Sequence, residues 1–154
     1  VEAGVPLVVD ADGLRHLPET GHPKVVLTPH AGELARLLGN SRAEVEADPL
    51  AAVLTASRST GCTVLLKGAT QYVAAPDSTR VWLAVPGPAW TAQAGSGDLL
   101  AGICGTLLAA GLAPVDAALA AASVQAVAAA AAPGPVPPQE LLLPVPPHRT
   151  RPAE

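Results

Sequence analysis

Residues 94–111 read AGSGDLLAGICGTLLAAG, a run of small residues that meets an aspartate and continues as an apolar, helix-like segment. Glycine lets the backbone turn tightly and lets amide N–H groups approach a ligand closely. The first amides of a helix have no partner within it and lie at the positive end of its dipole. A helix is predicted over 98–110. The amides of Gly95, Ser96 and Gly97, together with the start of that helix, are therefore expected to form a concave phosphate site.

Asp98 is an unexpected neighbour for that site, because its carboxylate competes with an anion for the same amides. Two interpretations remain open. Asp98 takes a proton from a hydroxyl group that attacks the phosphate, or it is only an acidic residue that suits the first turn of a helix. The short pattern by itself does not choose between them.

The rest of the chain predicts strands that alternate with helices. Buried strands are predicted at 6–10, 24–28 and 62–68, and an antiparallel hairpin at 71–75 and 80–84. Helices are predicted at 31–39, at 43–60 with a break at Asp48-Pro49, and from Pro114 to about residue 132. This order favours an α/β sheet with helices on both faces, which binds ligands beyond the carboxyl ends of its strands.

Polar segments follow three of those strands: DAD at 10–12, TPHAGE at 28–33 and KGATQ at 67–71. Lys67 suits a nucleotide phosphate, although a solvated strand end explains it as well. His30 alone is interpreted as a loop hydrogen-bonder, and Glu33 as an acid of a helix start. Asp10 and Asp12 either cap the next segment or bind Mg²⁺ through water.

Composition limits the function classes. The 154 residues are 49% apolar and 14% charged, which predicts one folded domain with a core. A net charge of −4 without a basic cluster makes nucleic acid an improbable partner. The alanine-rich segment 117–132 contains Ser123 and Gln125, which favours a packed helix over a membrane span. Without a CxxC pair, Cys62 and Cys104 are predicted to be reduced, buried thiols of a cytoplasmic protein.

The two ends of the chain carry expectations of their own. The proline-rich segment 133–154 is predicted to be an extended or mobile tail beyond a domain at 1–132. A strand follows Val1 within a few residues, so we expect the chain to be a piece of a longer protein, with an exposed sheet edge.

Four segments occur together in the order and spacing of one family: VVDADGL (8–14), VVLTPHAGELARLLG (25–39), VLLKGAT (64–70) and AGSGDLLAGICGTLLAAG (94–111). Over roughly residues 5–132 the chain resembles the ADP-dependent NAD(P)H-hydrate dehydratases, a ribokinase-like repair family. TPHAGE separates this family from sugar and vitamin kinases, whereas GSGD is shared across the superfamily.

The resemblance implies a three-layer ribokinase-like α/β sandwich, of which this chain is the C-terminal part, and a homo-oligomer. It implies that hydrated NADH or NADPH is restored, with ADP as phosphate donor, Mg²⁺ as cofactor, and AMP and phosphate as products. By the same resemblance Asp98 is the catalytic and substrate-binding carboxylate and His30 binds the hydrate. The implied nucleotide contacts are Lys67, Gly68, Ala69, Thr70, Gln71 and Gly97, beside the amides of Gly95 and Ser96.

Departures from the family pattern keep alternatives open. Gln71 stands where the nucleotide loop usually ends in Thr, and Gln93 and Thr91 alter the segment before the glycines. The resemblance leads us to expect that the first half of the family domain, with part of the hydrate pocket, lies outside this chain. A ribokinase-like kinase for a vitamin precursor or sugar, and a catalytically silent nucleotide-binding fragment, are the alternatives.

Overall fold

The computed structural model describes residues 4–17 and 22–142. Its sheet has five strands in chain order, at Leu7–Val9 (β1), Val25–Leu27 (β2), Thr63–Leu66 (β3), Tyr72–Ala74 (β4) and Val81–Leu83 (β5). β1, β2 and β3 are parallel, and β4 and β5 add an antiparallel hairpin. The five predicted strands are confirmed, and β1 is an edge strand as expected.

Helices cover both faces of this sheet. They span Ala31–Leu38 (α1), Arg42–Ala47 (α2), Pro49–Thr60 (α3), Ser96–Ala109 (α4) and Pro114–Ala131 (α5). Successive strand residues point to opposite faces, so Leu27 packs with α1–α3, whereas Val26 and Leu65 pack with α4 and α5. The predicted three-layer sandwich is confirmed.

The helix ends follow the predicted local signals. Gly39 and Gly61 end α1 and α3 with φ of 71° and 64°, a conformation that favours glycine. The Asp48 carboxylate accepts a hydrogen bond from the Ala51 amide at 3.0 Å, and Pro49 opens α3. The segment predicted as one interrupted helix is therefore two helices, which meet at Asp48.

The start of the proline-rich tail is packed. Pro138, in a 3₁₀ turn at Pro138–Glu140, and Leu141 are buried, and the Gln93 side chain donates to the Val136 carbonyl at 2.7 Å. This part of the tail packs near α4, because apolar side chains among the prolines find a surface there, and an extended or mobile tail stays a prediction for the rest. Residues 143–154 lie outside the described residues, and the domain boundary at 132 stays a prediction.

Among the described residues, α5 is the one helix long and apolar enough to cross a membrane. Its alanines at 117, 118, 121 and 122 are fully buried in the core beneath the sheet. Packing of this kind is what the sequence predicted for the segment.

Gly87 is required by the packing of the β5–α4 loop against α5. A Cβ at Gly87 would lie 3.1 Å from both Cα and Cβ of Ala126. We expect Gly87→Ala to destabilise the fold by about 1–3 kcal/mol in urea unfolding. Gly102→Ala is the matched control, since nothing lies within 4 Å of its added Cβ inside α4, and it should stabilise by up to about 1 kcal/mol. Equal effects of the two variants would contradict this packing.

Both cysteines are free and buried, as predicted. Burial raises the pKa of the Cys104 thiol from 9.0 to about 11. The unfolded chain therefore loses this proton near pH 9 while the folded chain keeps it, so Cys104 lowers stability as pH rises from 9 to 11. In urea unfolding at neutral pH and within that interval, wild type should lose more stability than Cys104→Ala. Parallel losses would show that Cys104 does not titrate in this way.

Candidate functional site

Three candidate residues meet where the parallel strands end. Asp10 directly follows β1, His30 lies beyond β2, and Lys67 directly follows β3. The Lys67 amide donates to the Pro29 carbonyl at 2.8 Å, and His30 pairs with Lys67 in a parallel bridge. The backbone thus extends the sheet by one pair and holds these side chains at one edge, as the sequence predicted for DAD, TPHAGE and KGATQ.

Lys67 forms an ion pair with Asp10 at this edge. The ammonium Nζ lies 2.6 Å from Asp10 Oδ1, and the two side chains are 20% and 18% exposed. The pair reaches across β2, which lies between β1 and β3 in the sheet. A charge-assisted hydrogen bond of this length fixes the end of an otherwise flexible lysine.

The start of α4 lies directly on that ion pair. A Cβ at Gly97 would be 3.3 Å from Asp10 Oδ2 and 3.4 Å from Lys67 Nζ. Glycine therefore allows the helix start and the ammonium group to approach one another. This contact brings the two predicted halves of the phosphate site, 67–71 and 95–97, together at Lys67 and Gly97.

Helix α4 begins two residues earlier than predicted, at Ser96, because Gly95 adopts the left-handed conformation with φ of 85°. The Ser96 amide donates to the Gln93 carbonyl at 3.1 Å, so it is not free for a ligand. Within the described chain, the amides of Gly97 and Asp98 donate to no protein acceptor. Two free amides beside an ammonium group are suited to a phosphate oxygen.

Gln125 on α5 holds the start of α4 in place. Its buried side chain, on α5, donates to the Ser96 carbonyl at 2.8 Å. Gln93, a departure from the family pattern, is directed to the Val136 carbonyl instead of the amides. The Gln93 side chain therefore contacts the start of the tail, and an influence of this residue on the phosphate site stays a prediction.

Asp98 is the third residue of α4 and is exposed. Its carboxylate makes no hydrogen bond or ion pair with the residues that the structure describes. The structure places it one residue beyond Gly97 but does not bring it into the Lys67–Asp10 pair. It is reachable by a ligand, and its catalytic role stays a prediction.

His30 caps α1 together with Glu33. The His30 Nδ1 accepts from the Glu33 amide at 3.1 Å, and the Glu33 carboxylate accepts from the His30 amide at 2.8 Å. A Cβ at Gly32 would lie 3.1 Å from the His30 ring, which explains glycine there. With Nδ1 as acceptor, the neutral ring carries its proton on Nε2. That nitrogen lies 3.4 Å from Glu33 Oε1, while the ring itself is exposed, and its predicted hydrate contact stays a prediction.

The remainder of the predicted nucleotide loop leaves the sheet and returns to it. Gly68, Ala69 and Thr70 are exposed, whereas Gln71 is half-buried and its carbonyl accepts from the Ala84 amide at 3.1 Å. The buried Gln71 Oε1 has no hydrogen-bond partner among the described residues. Gln71 thus places an amide oxygen without a partner where the threonine of the family pattern has a hydroxyl group.

The sequence did not identify what Asp10 contacts. Asp10 precedes the 3₁₀ turn Ala11–His16, but its side chain makes no capping hydrogen bond, so the capping interpretation is wrong for this residue. Asp12 is 87% exposed and pairs with Arg15 at 3.4 Å. The only available signal was the position of Asp10 at a strand end, opposite a lysine 57 residues away.

The described part of the chain offers Mg²⁺ no complete protein site. The described residues contain no group of three or more His, Cys, Asp or Glu side chains that could hold a metal ion. Mg²⁺ often binds through one or two carboxylates together with substrate phosphates. Asp10 is the carboxylate nearest to the candidate phosphate site, and it is already bonded to Lys67.

A sheet with three parallel strands and helices on both faces, whose carboxyl edge meets a glycine-started helix, is an arrangement typical of phosphate-binding α/β proteins. The fold of this chain is ribokinase-like. A ribokinase-like superfamily protein from Enterococcus faecalis is similar with a TM-score of 0.74, at 23% identity over 88% of this chain and 49% of that one.

The chain belongs to the NAD(P)H-hydrate dehydratase family, whose model matches residues 1–139. The ADP-dependent (S)-NAD(P)H-hydrate dehydratase of Neisseria meningitidis is 46% identical over 75% of this chain and 41% of its own length. The ADP/ATP-dependent NAD(P)H-hydrate dehydratase of Bacillus subtilis, co-crystallised with ATP/Mg²⁺ and soaked with CoA, has a TM-score of 0.69 and 29% identity over 80% of this chain and 46% of that one. The chain spans less than half the length of these relatives.

Proposed function

We propose that this chain carries the nucleotide site of an enzyme that dehydrates hydrated NADH or NADPH, with ADP as phosphate donor. The observation that carries the proposal is the contact of Gly97 with the Lys67–Asp10 pair at the carboxyl edge of the sheet. The Neisseria relative, at 46% identity, supports the choice of reaction and of ADP.

The proposed reaction is a phosphoryl transfer followed by an elimination. Asp98 takes the proton from the hydroxyl group of the hydrate, and that oxygen attacks the β-phosphorus of ADP. The bond between the β-phosphorus and its bridging oxygen breaks, which releases AMP. The phosphate ester then leaves as inorganic phosphate with loss of the neighbouring proton, which restores NADH or NADPH.

The protein groups at the edge have distinct parts in this scheme. Lys67 and the free amides of Gly97 and Asp98 stabilise negative charge on the transferring phosphoryl group. The His30 Nε2, which lies 3.4 Å from Glu33 Oε1, donates to the hydrate. Gly68, Ala69, Thr70 and Gln71 contact the nucleotide, and Mg²⁺ accompanies its phosphates. A cytoplasmic location and a homo-oligomer remain predictions.

The assay compares the longer protein expected to contain this chain with the 154-residue chain alone, each with ADP, Mg²⁺ and hydrated NADH, and follows AMP by chromatography and NADH by absorbance. From the longer protein we expect AMP and NADH in equal amounts, and no AMP when the hydrate is omitted. A phosphorylated stable acceptor in place of NADH would identify the kinase alternative and contradict the proposal.

The silent-fragment alternative is favoured by two departures from the family pattern. The buried Gln71 Oε1 has no hydrogen-bond partner among the described residues, and the Gln93 side chain donates to the Val136 carbonyl. The same assay separates it from the enzyme when ADP binding is measured in parallel. Binding of ADP with no AMP release would assign this chain a nucleotide site without turnover.

A further inference from the structure

We propose that Asp10 is a positioning residue that holds the Lys67 ammonium group against the start of α4. This inference rests on the proposed function, because it concerns how Lys67 meets the nucleotide phosphate. The supporting geometry is the 2.6 Å contact of Asp10 Oδ1 with Lys67 Nζ, and the presence of both groups within 3.4 Å of a Cβ placed on Gly97.

The pair differs from the other lysine or arginine ion pairs that the structure describes. Arg15–Asp12 and Arg42–Glu46 join residues three or four apart, and their side chains are 51–87% exposed. Asp10 and Lys67 come from different strands and are each about one-fifth exposed. Exposed pairs contribute little, whereas this pair fixes a particular atom at a helix start.

Two properties of the Asp10 carboxylate act in opposite directions on a bound phosphate. Its oxygen accepts from Lys67 and removes the freedom of a side chain that is otherwise expensive to order. Its negative charge repels the incoming anion. The positioning role belongs to the oxygen, so it must survive removal of the charge.

Two substitutions of Asp10 separate the effect of its oxygen from the effect of its charge on ADP binding. Asp10→Asn keeps an oxygen in place and removes the repulsion, so ADP should bind at least as tightly as to wild type. Asp10→Ala removes the oxygen and leaves Lys67 unheld, so affinity should fall roughly five- to tenfold. Glu46→Ala, on α2 and paired with exposed Arg42, is the control and should bind as wild type does.

Calorimetry of ADP binding to the full chain tests whether Asp10 acts through Lys67. In a Lys67→Ala background, Asp10→Ala should cause no further loss. An equal loss in both backgrounds would overturn the proposal, and so would an equal loss in Asp10→Asn and Asp10→Ala. If Asp10→Ala does not fold, Asp10→Leu replaces it, since leucine has the same branching without an acceptor.

A second measurement is independent of the nucleotide. Lys24 and Lys67 are the only lysines in the sequence, so ¹⁵N NMR of side-chain ammonium groups can assign Lys67 by comparison with Lys24→Arg. We expect an ordered Lys67 ammonium in wild type and Asp10→Asn, and a mobile one in Asp10→Ala. Unchanged mobility in Asp10→Ala would overturn the positioning role. Failure of wild type to bind ADP, with these NMR results as expected, would instead refute the proposed function.

Discussion

Asp98→Asn will lower the rate of hydrate-dependent AMP release by about 10²–10⁴-fold while ADP affinity changes little. The asparagine amide has the size of the carboxylate but cannot take a proton from the hydroxyl group of the hydrate. Asp98 is exposed one residue beyond Gly97, so the substitution leaves the Lys67–Asp10 pair intact. The rate comes from AMP release under saturating ADP, and the affinity from calorimetry.

Asp116→Asn is the matched control for this prediction. Asp116 is also an exposed acidic residue at the third position of its helix, α5. If Asp98 is only a favourable acid at a helix start, both variants should lose similar stability, about 0.3–1 kcal/mol, and neither should lose rate. A rate that survives in Asp98→Asn would remove this residue from the chemistry.

Lys67→Ala will weaken ADP binding by roughly 10–100-fold, the size of a lost hydrogen bond between charged groups. The substitution removes the ammonium group beside Gly97 and leaves the Asp10 carboxylate facing the phosphate without a partner. Calorimetry on folded protein measures the change directly.

Lys24→Ala is the control for Lys67→Ala, because it removes the only other lysine of the chain. Lys24 is exposed, and its ammonium donates to the Gly4 carbonyl. We expect its ADP affinity to equal that of wild type. An equal loss of ADP affinity in the two lysine variants would show that only the net charge of the chain matters. It would contradict a nucleotide contact at Lys67.

The secondary structure was largely predictable because its signals are local. Gly39 and Gly61 end helices, and Asp48 with Pro49 starts one, each through its own backbone conformation or side chain. Apolar runs gave the strands, since both faces of this sheet are covered. Those signals need no knowledge of distant residues.

The features that the sequence did not predict depend on tertiary structure. The start of α4 at Ser96 depends on the left-handed Gly95 and on Gln125 below it, 29 residues away. The contact of Asp10 with Lys67 depends on the order of β1, β2 and β3 in the sheet. Pro138 is buried against a surface that no pattern among the tail prolines indicates.

The candidate site was predicted by residue type, and the structure brings its residues together, while their binding roles stay predictions. Lys67, His30 and Gly97 lie at the predicted edge, and the contact of Gly97 with the Lys67–Asp10 pair gives glycine a reason to be there. The ligands of Lys67 and Asp98 were inferred from the family resemblance, because a strand end and a helix start are common to many phosphate sites.

The most direct test of the account is a titration of the ¹⁵N-labelled chain with ADP and Mg²⁺, followed through backbone amide resonances. We expect the largest shifts at Gly97 and Asp98 and along residues 67–71. Large shifts confined to other parts of the chain, or none at saturating ADP in a folded sample, would contradict a nucleotide site at this edge of the sheet.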